Sequence, residues 1–239
     1  MHATIQKPIE EIISHMQPDE KVFVIGCNNC AWKCHSGGEE ETKAMAERLT
    51  RRGINVVGYT VPGPPGTSLC KLDHTQKVLS EEFAEEVRKA DSFLVLACGQ
   101  GVHTVIDATG GAMVHPGCDT IFGGETVSDS EINEYCSLCG ECILEFTGGL
   151  CPLTLCAKGL LNGPCGGAQS GKCEADPDRD CGWILIYERL KQLGRLDLLE
   201  LYQPPKNNAK WNRPRRLKVT PHEAVFCSMG GSVSVNNLE

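Results

Sequence analysis

Fifteen cysteines in a chain of 239 residues constrain this sequence more than any other feature. Nothing at the N-terminus, MHATIQKPIEEIISHM, reads as a basic segment followed by an apolar one, so no secretory leader is expected and the chain is placed in the reducing cytoplasm. Structural disulfides are rare there, and an odd count would leave one thiol unpaired. Sulfur-ligated metal is the reading that remains. Only 5% of residues are aromatic, while Gly (26) and Pro (13) are plentiful, which predicts aliphatic cores and long loop-rich stretches.

The first half alternates between strand and helix patterns. After an amphipathic segment around Ile9 to Met16, KVFVIG reads as a buried strand and Glu39 to Arg52 as a helix closed by Gly53. INVVGYT is a second strand. The loop VPGPPGTSLC then leads to a helix with Asp73 and Gln76 at its start, running to about Ala90, and SFLVLA is a third strand. This alternation predicts right-handed crossovers and a small flavodoxin-like parallel sheet of order 2-1-3, with ligands gathering beyond the C-terminal strand ends. The expected organisation is an N-terminal helical segment (1–19), an α/β domain (20–125), a cysteine-rich, loop-rich metal-cluster domain with C-terminal helices (126–202) and an extended basic tail (203–239). In the third of these, Trp183 to Leu193 reads as a helix stopped by Gly194, with a shorter helix in DLLELY.

Eight cysteines fall between Cys136 and Cys181, where hydrophobic periodicity disappears. Cys136, Cys139 and Cys142 are spaced so that three thiolates can take three corners of one 4Fe-4S cube from a single turn of chain. The fourth ligand comes from farther away, since Cys151-Pro152 follows only after eight residues. With Cys151, Cys156, Cys165, Cys173 and Cys181, the segment could hold two cubes, the favoured reading, or one cube and a tetrahedral zinc. Glycines beside the cysteines let backbone N–H groups reach cluster sulfurs and raise the reduction potential. A second group, Cys27, Cys30 and Cys34, begins where the first strand ends. The predicted strand order brings Cys98 beside Cys27, making four converging thiolates, with Cys70 a competitor for the fourth place. Cys27 and Cys98 are otherwise small buried apolar residues.

The remaining signals are weaker. Gly99-Gln100-Gly101 lacks the glycine that would complete a dinucleotide loop, and no flavin or NAD is expected in this chain. His103 and His115 read as structural, and Cys118 and Cys227 as plain thiols. No nucleophile with its base stands out, so no catalytic residue is assigned. A net charge of -8 argues against nucleic acid, and no apolar run is long enough to span a membrane. From Lys206 to Lys218 six cations stand with no acid between them, which suits either a solvated tail or an arm that docks on a partner.

The run CSLCGECILEFTGGLCPLTLCAKGLLNGPCGGAQSGKCEADPDRDCGWILIYERL resembles the small iron–sulfur (MetV-type) subunit of bacterial methylenetetrahydrofolate reductase. GCNNCAWKC, the Pro-rich loop ending in Cys70, and LVLACGQGVHTV extend the resemblance over about residues 20 to 202. It implies a flavin-containing large subunit as partner, which reduces methylenetetrahydrofolate to methyltetrahydrofolate in the one-carbon branch of the acetyl-CoA pathway. Ferredoxin or another redox subunit would be the electron donor, and this chain, with two or three 4Fe-4S clusters, the relay. A catalytic barrel needs about 250 residues and eight strand–helix repeats, so folate binding would belong to the partner. The competing expectation is a structural zinc-binding partner of the same reductase with no redox role.

Overall fold

A computed structural model describes residues 1–128 and 130–211, together with the backbone of 226–227 and 231–232. Its centre is a four-stranded parallel sheet. In chain order the elements are β1 (His2–Gln6), α1 (Ile9–Ser14), β2 (Lys21–Gly26), α2 (Cys30–Lys33), α3 (Glu39–Arg51), β3 (Asn55–Thr60), α4 (Leu72–Lys77), α5 (Ala84–Lys89), β4 (Ser92–Leu96), α6 (Gly99–Ala108) and β5 (Met113–Pro116). The sheet order β3-β2-β4-β5 contains the expected 2-1-3 arrangement and adds β5 as a fourth strand.

Alternation along the buried strands builds two cores, one on each face. Val22 and Val24 of β2, with Leu94 and Leu96 of β4, pack under α1 and α3 against Ile9, Ile12, Met45 and Leu49. Phe23 and Ile25, with Phe93 and Val95, meet Leu69, Leu79 and Val105 on the opposite face. Each fully buried side chain of this kind contributes about 1.5–3 kcal/mol, so the two strands carry much of the domain's stability. Gly53, at φ 84, follows α3 as expected for a residue that must turn left-handed.

The structure differs from the sequence reading in three places. Residues 1–19 are not wholly helical, because β1 pairs antiparallel with β6 (Cys118–Gly123), His2 opposite Gly123 and Gln6 opposite Cys118. HATIQ has no apolar run of its own, and its partner lies at the far end of the α/β region. The helix expected from Asp73 to Ala90 is interrupted by a wide π turn at Val78–Glu82. The extra residue re-phases the chain so that Phe83 reaches Phe23, with ring centroids 5.7 Å apart. Asp73 lies inside the first turn of α4, which starts at Leu72, instead of capping it.

Beyond β6 come the hairpin β7 (Glu125–Ser128) and β8 (Glu131–Asn133), the one-turn α7 (Pro152–Leu155), the short pair β9 (Lys172–Cys173) and β10 (Asp176–Asp180), and α8 (Gly182–Gln192). DLLELY forms a 3-10 turn at Leu196–Glu200. A separate core joins Cys181, Trp183, Ile186, Leu190 and Leu198. No helix among the described residues is long and apolar enough to cross a membrane. Of the basic tail, residues 203–211 are described, and its further cations and the Cys227 side chain lie outside the described residues.

His115 on β5 meets Glu20 at 3.0 Å, with both side chains buried. Burial opposes ionisation of Glu20, but hydrogen bonds from Ser92, from His115 and from the Gln17 backbone N–H together outweigh it and hold the carboxyl below its ordinary value of 4.5. Glu20→Ala would leave the buried imidazole without its partner and should cost about 1–3 kcal/mol near neutral pH. A carboxyl with a lowered folded pKa stabilises the native state above its unfolded value. The gap between wild type and variant in urea unfolding should therefore be full at neutral pH and shrink as pH falls below about 4.5.

Candidate metal centres

The parallel pairing of β2 with β4 sets Gly26 opposite Leu96. Cys27 and Cys98, one and two residues farther on, emerge at the same edge, each 6% exposed. The loop after β2 folds down onto β4, and the Cys27 N–H donates to Gly37 O at 2.7 Å. A Cβ at Gly37 would lie 2.0 Å from Leu96 O, so only glycine allows this approach. Cys30 opens α2 and Cys34 closes it. Cys30 Sγ accepts the His2 N–H at 3.5 Å, and the Cys34 thiol donates to His2 O at 3.8 Å. Strand β1 thus lies over both.

The Pro-rich loop after β3 is tied to the same edge. Asn28 donates through Nδ2 to Gly63 O at 2.6 Å and accepts the Gly66 N–H at 2.6 Å, while Asn29 bonds Ser68 at 2.5 Å. Leu69 is fully buried in the core that holds Cys27 and Ala97. Cys70 follows directly. Burial pushes the Cys30 and Cys70 thiols up, and both feel the charges of Cys98 and Cys27 as well. Cys118, buried and pushed up to about 12 by that burial, has Cys34 and Cys98 for neighbours and donates to Ser36 O at 3.5 Å. Six cysteines, Cys27, Cys30, Cys34, Cys70, Cys98 and Cys118, therefore gather at one sheet edge, with Cys30 and Cys70 both beside Cys27 and Cys98, and Cys118 beside Cys34 and Cys98.

The eight later cysteines divide between two cavities. Cys136, Cys139, Cys142 and Cys151 line one of about 360 Å³, together with Tyr135 and Lys206. Cys156, Cys165, Cys173 and Cys181 line the other, which is smaller and more enclosed. The two sets are separated by α7 alone, because Cys151 precedes it and Cys156 follows it. Each cavity has a backbone N–H aimed at a sulfur two residues back: Leu138 to Cys136 at 3.4 Å, and Gly167 to Cys165 at 3.5 Å. That N–H, and the Lys158 ammonium, hold the Cys165 thiol below its usual range. Cys165 also meets Glu174, the partner of Lys158. Among the described residues, no three Cys, His, Asp or Glu side chains converge closely enough to chelate a single ion.

The sequence reading left the assignment of the fourth ligand to the Cys136 triplet open; in the structure Cys151 shares its cavity. It did not anticipate that residues 206–211 return to this loop. Trp211 Nε1 donates to Ser137 O at 3.0 Å, and the Asn207 N–H to Glu141 Oε2 at 2.9 Å. The cationic run signalled an interaction, but not one within the chain. His115, bound to Glu20, is structural, and His103 is exposed on α6.

Comparison with curated proteins and with solved structures gives no match. Residues 115–209, less than half of the chain but including all eight cysteines of the two cavities, match the family described as methylene-tetrahydrofolate reductase C terminal, and in that segment the chain is similar to that family.

Proposed function

We propose that this chain is an iron–sulfur electron-transfer subunit of a methylenetetrahydrofolate reductase system. The observation that carries the reading is the sorting of eight cysteines, four to a cavity, within the segment that matches the reductase family. Four thiols facing one cavity fit a group that takes four soft ligands, and a 4Fe-4S cube is such a group. A single tetrahedral zinc draws its sulfurs to about 2.3 Å from one centre. The cavity of Cys136, Cys139, Cys142 and Cys151, at about 360 Å³, has room for such a cube, and the second cavity is tighter.

When bound, such clusters supply one-electron storage at potentials set by their surroundings. The chain's own part is to bind and tune. Cys136, Cys139, Cys142 and Cys151 would hold one cluster, and Cys156, Cys165, Cys173 and Cys181 a second. The N–H groups of Leu138 and Gly167 would stabilise extra negative charge on the sulfurs of each. Cys27, Cys30 and Cys98 would hold a third with Cys70, whose loop is pinned beside them, in preference to Cys34. The partner is a flavin-containing large subunit that carries the folate chemistry, with a ferredoxin-type protein or another redox subunit as electron source, and the complex works in the cytoplasm. The competing reading is a structural zinc-binding partner of the same reductase, and the smaller cavity is where its zinc would sit.

Anaerobic purification with iron, sulfide and zinc analysis tests this. About four irons and four sulfides per cluster are expected, with a brown colour that bleaches on dithionite. Cys139→Ser and Cys173→Ser should each remove about four irons. A colourless protein with stoichiometric zinc, even after reconstitution with iron and sulfide, would sink the relay.

At the N-terminal group, Cys70→Ser should lose iron while Cys34→Ser keeps it. The reverse pattern would restore Cys34 as the ligand.

A further inference from the structure

The cluster loop is held by residues that follow it by more than sixty positions, and the hold brings a cation to the cavity. Lys206 lines the cavity of Cys136, Cys139, Cys142 and Cys151. Its ammonium donates to the backbone carbonyl of Glu141, and the Cys139 thiol meets that same oxygen at 3.4 Å. The Glu141 side chain is gripped from the same segment, by Lys210 at 2.8 Å and by the Asn207 N–H at 2.9 Å. Trp211 closes the clasp on Ser137 O. Gly140, at φ 78, lets the segment lie this close, since a Cβ there would be 2.8 Å from Lys210 O.

We infer that Lys206 is a positioning residue that compensates negative charge at the Cys136–Cys151 site, held there by the clasp of residues 206–211 on Glu141 and Ser137. The inference rests on the proposed cluster at that site. As a thiol, Cys139 donates its proton to the Glu141 carbonyl. As a thiolate ligand it has no proton to give, and the cation on that same oxygen is the Lys206 ammonium. Four thiolates and a reduced cluster accumulate negative charge, which a fixed cation stabilises more in the reduced form than in the oxidised one. Lys206 should therefore raise the reduction potential of this site without being one of its ligands.

The test uses the full chain, purified anaerobically and reconstituted with iron and sulfide, in an EPR-monitored redox titration of wild type, Lys206→Met and Lys206→Arg. Lys206→Met keeps the aliphatic stem and loses the charge. Its Cys136-site signal should become about tenfold harder to reduce, a fall of about 59 mV for a one-electron couple, with iron and sulfide content unchanged. Lys206→Arg should restore most of the wild-type midpoint. An unmoved midpoint in an iron-replete Lys206→Met variant would overturn the charge role alone. Iron loss in both variants would overturn it too, by making Lys206 a structural clamp. A wild type that takes up no iron would overturn the underlying cluster reading, a failure visible before any titration begins.

Discussion

The pairing of β2 with β4 is the interaction on which the rest of the molecule depends. These two strands are buried on both faces, and their register fixes which residues leave the sheet side by side. The packing of Phe23, Ile25, Phe93 and Val95 on one face, and of Val22, Val24, Leu94 and Leu96 on the other, leaves no freedom to slip. A shift of one residue would exchange the two faces. With the register fixed, Cys27 and Cys98 come out together, and the loops after β2 and β3 bring Cys30 and Cys70 to the same edge. Strand β1 is added from the far side by pairing with β6, and its His2 backbone touches Cys30 and Cys34.

The cysteine-rich segment is organised on a different principle. One small core around Trp183, Ile186 and Leu190 supports it, and the loops between the cysteines reach that core through the partly buried Leu150, Leu160 and Ala168. Glycines turn these loops and polar contacts tie them: Lys158 to Glu174, Arg179 to Thr154 O, and the clasp of residues 206–211 on Glu141. Exposed ion pairs of this kind contribute little individually. A bound cluster or ion would therefore account for much of the segment's order, because metal binding to such loops is also folding free energy.

The clasp also changes how the charge pattern is read. From the sequence, Lys206 and Lys210 belong to a basic arm with no acid inside it. In the structure both meet the Cys136–Cys142 loop of their own chain, through Glu141. The acid that pairs with Lys210, and whose backbone carbonyl takes Lys206, lies in a different segment, so no local charge count reveals it.

The sequence by itself determined the alternation of strand and helix, the parallel order around β2, and the grouping of the cysteines along the chain. Those depend on local periodicity, turn residues and spacing, which a linear chain carries in full. It missed β1, the π turn at Val78–Glu82 and the return of residues 206–211, because each exists only through contact with residues far along the chain. Tertiary structure alone decided that Cys151 joins the Cys136 triplet while Cys156 turns to the second cavity. Five positions separate those two cysteines, and the one-turn helix α7 that divides them takes its orientation from packing against α8, which no spacing rule encodes.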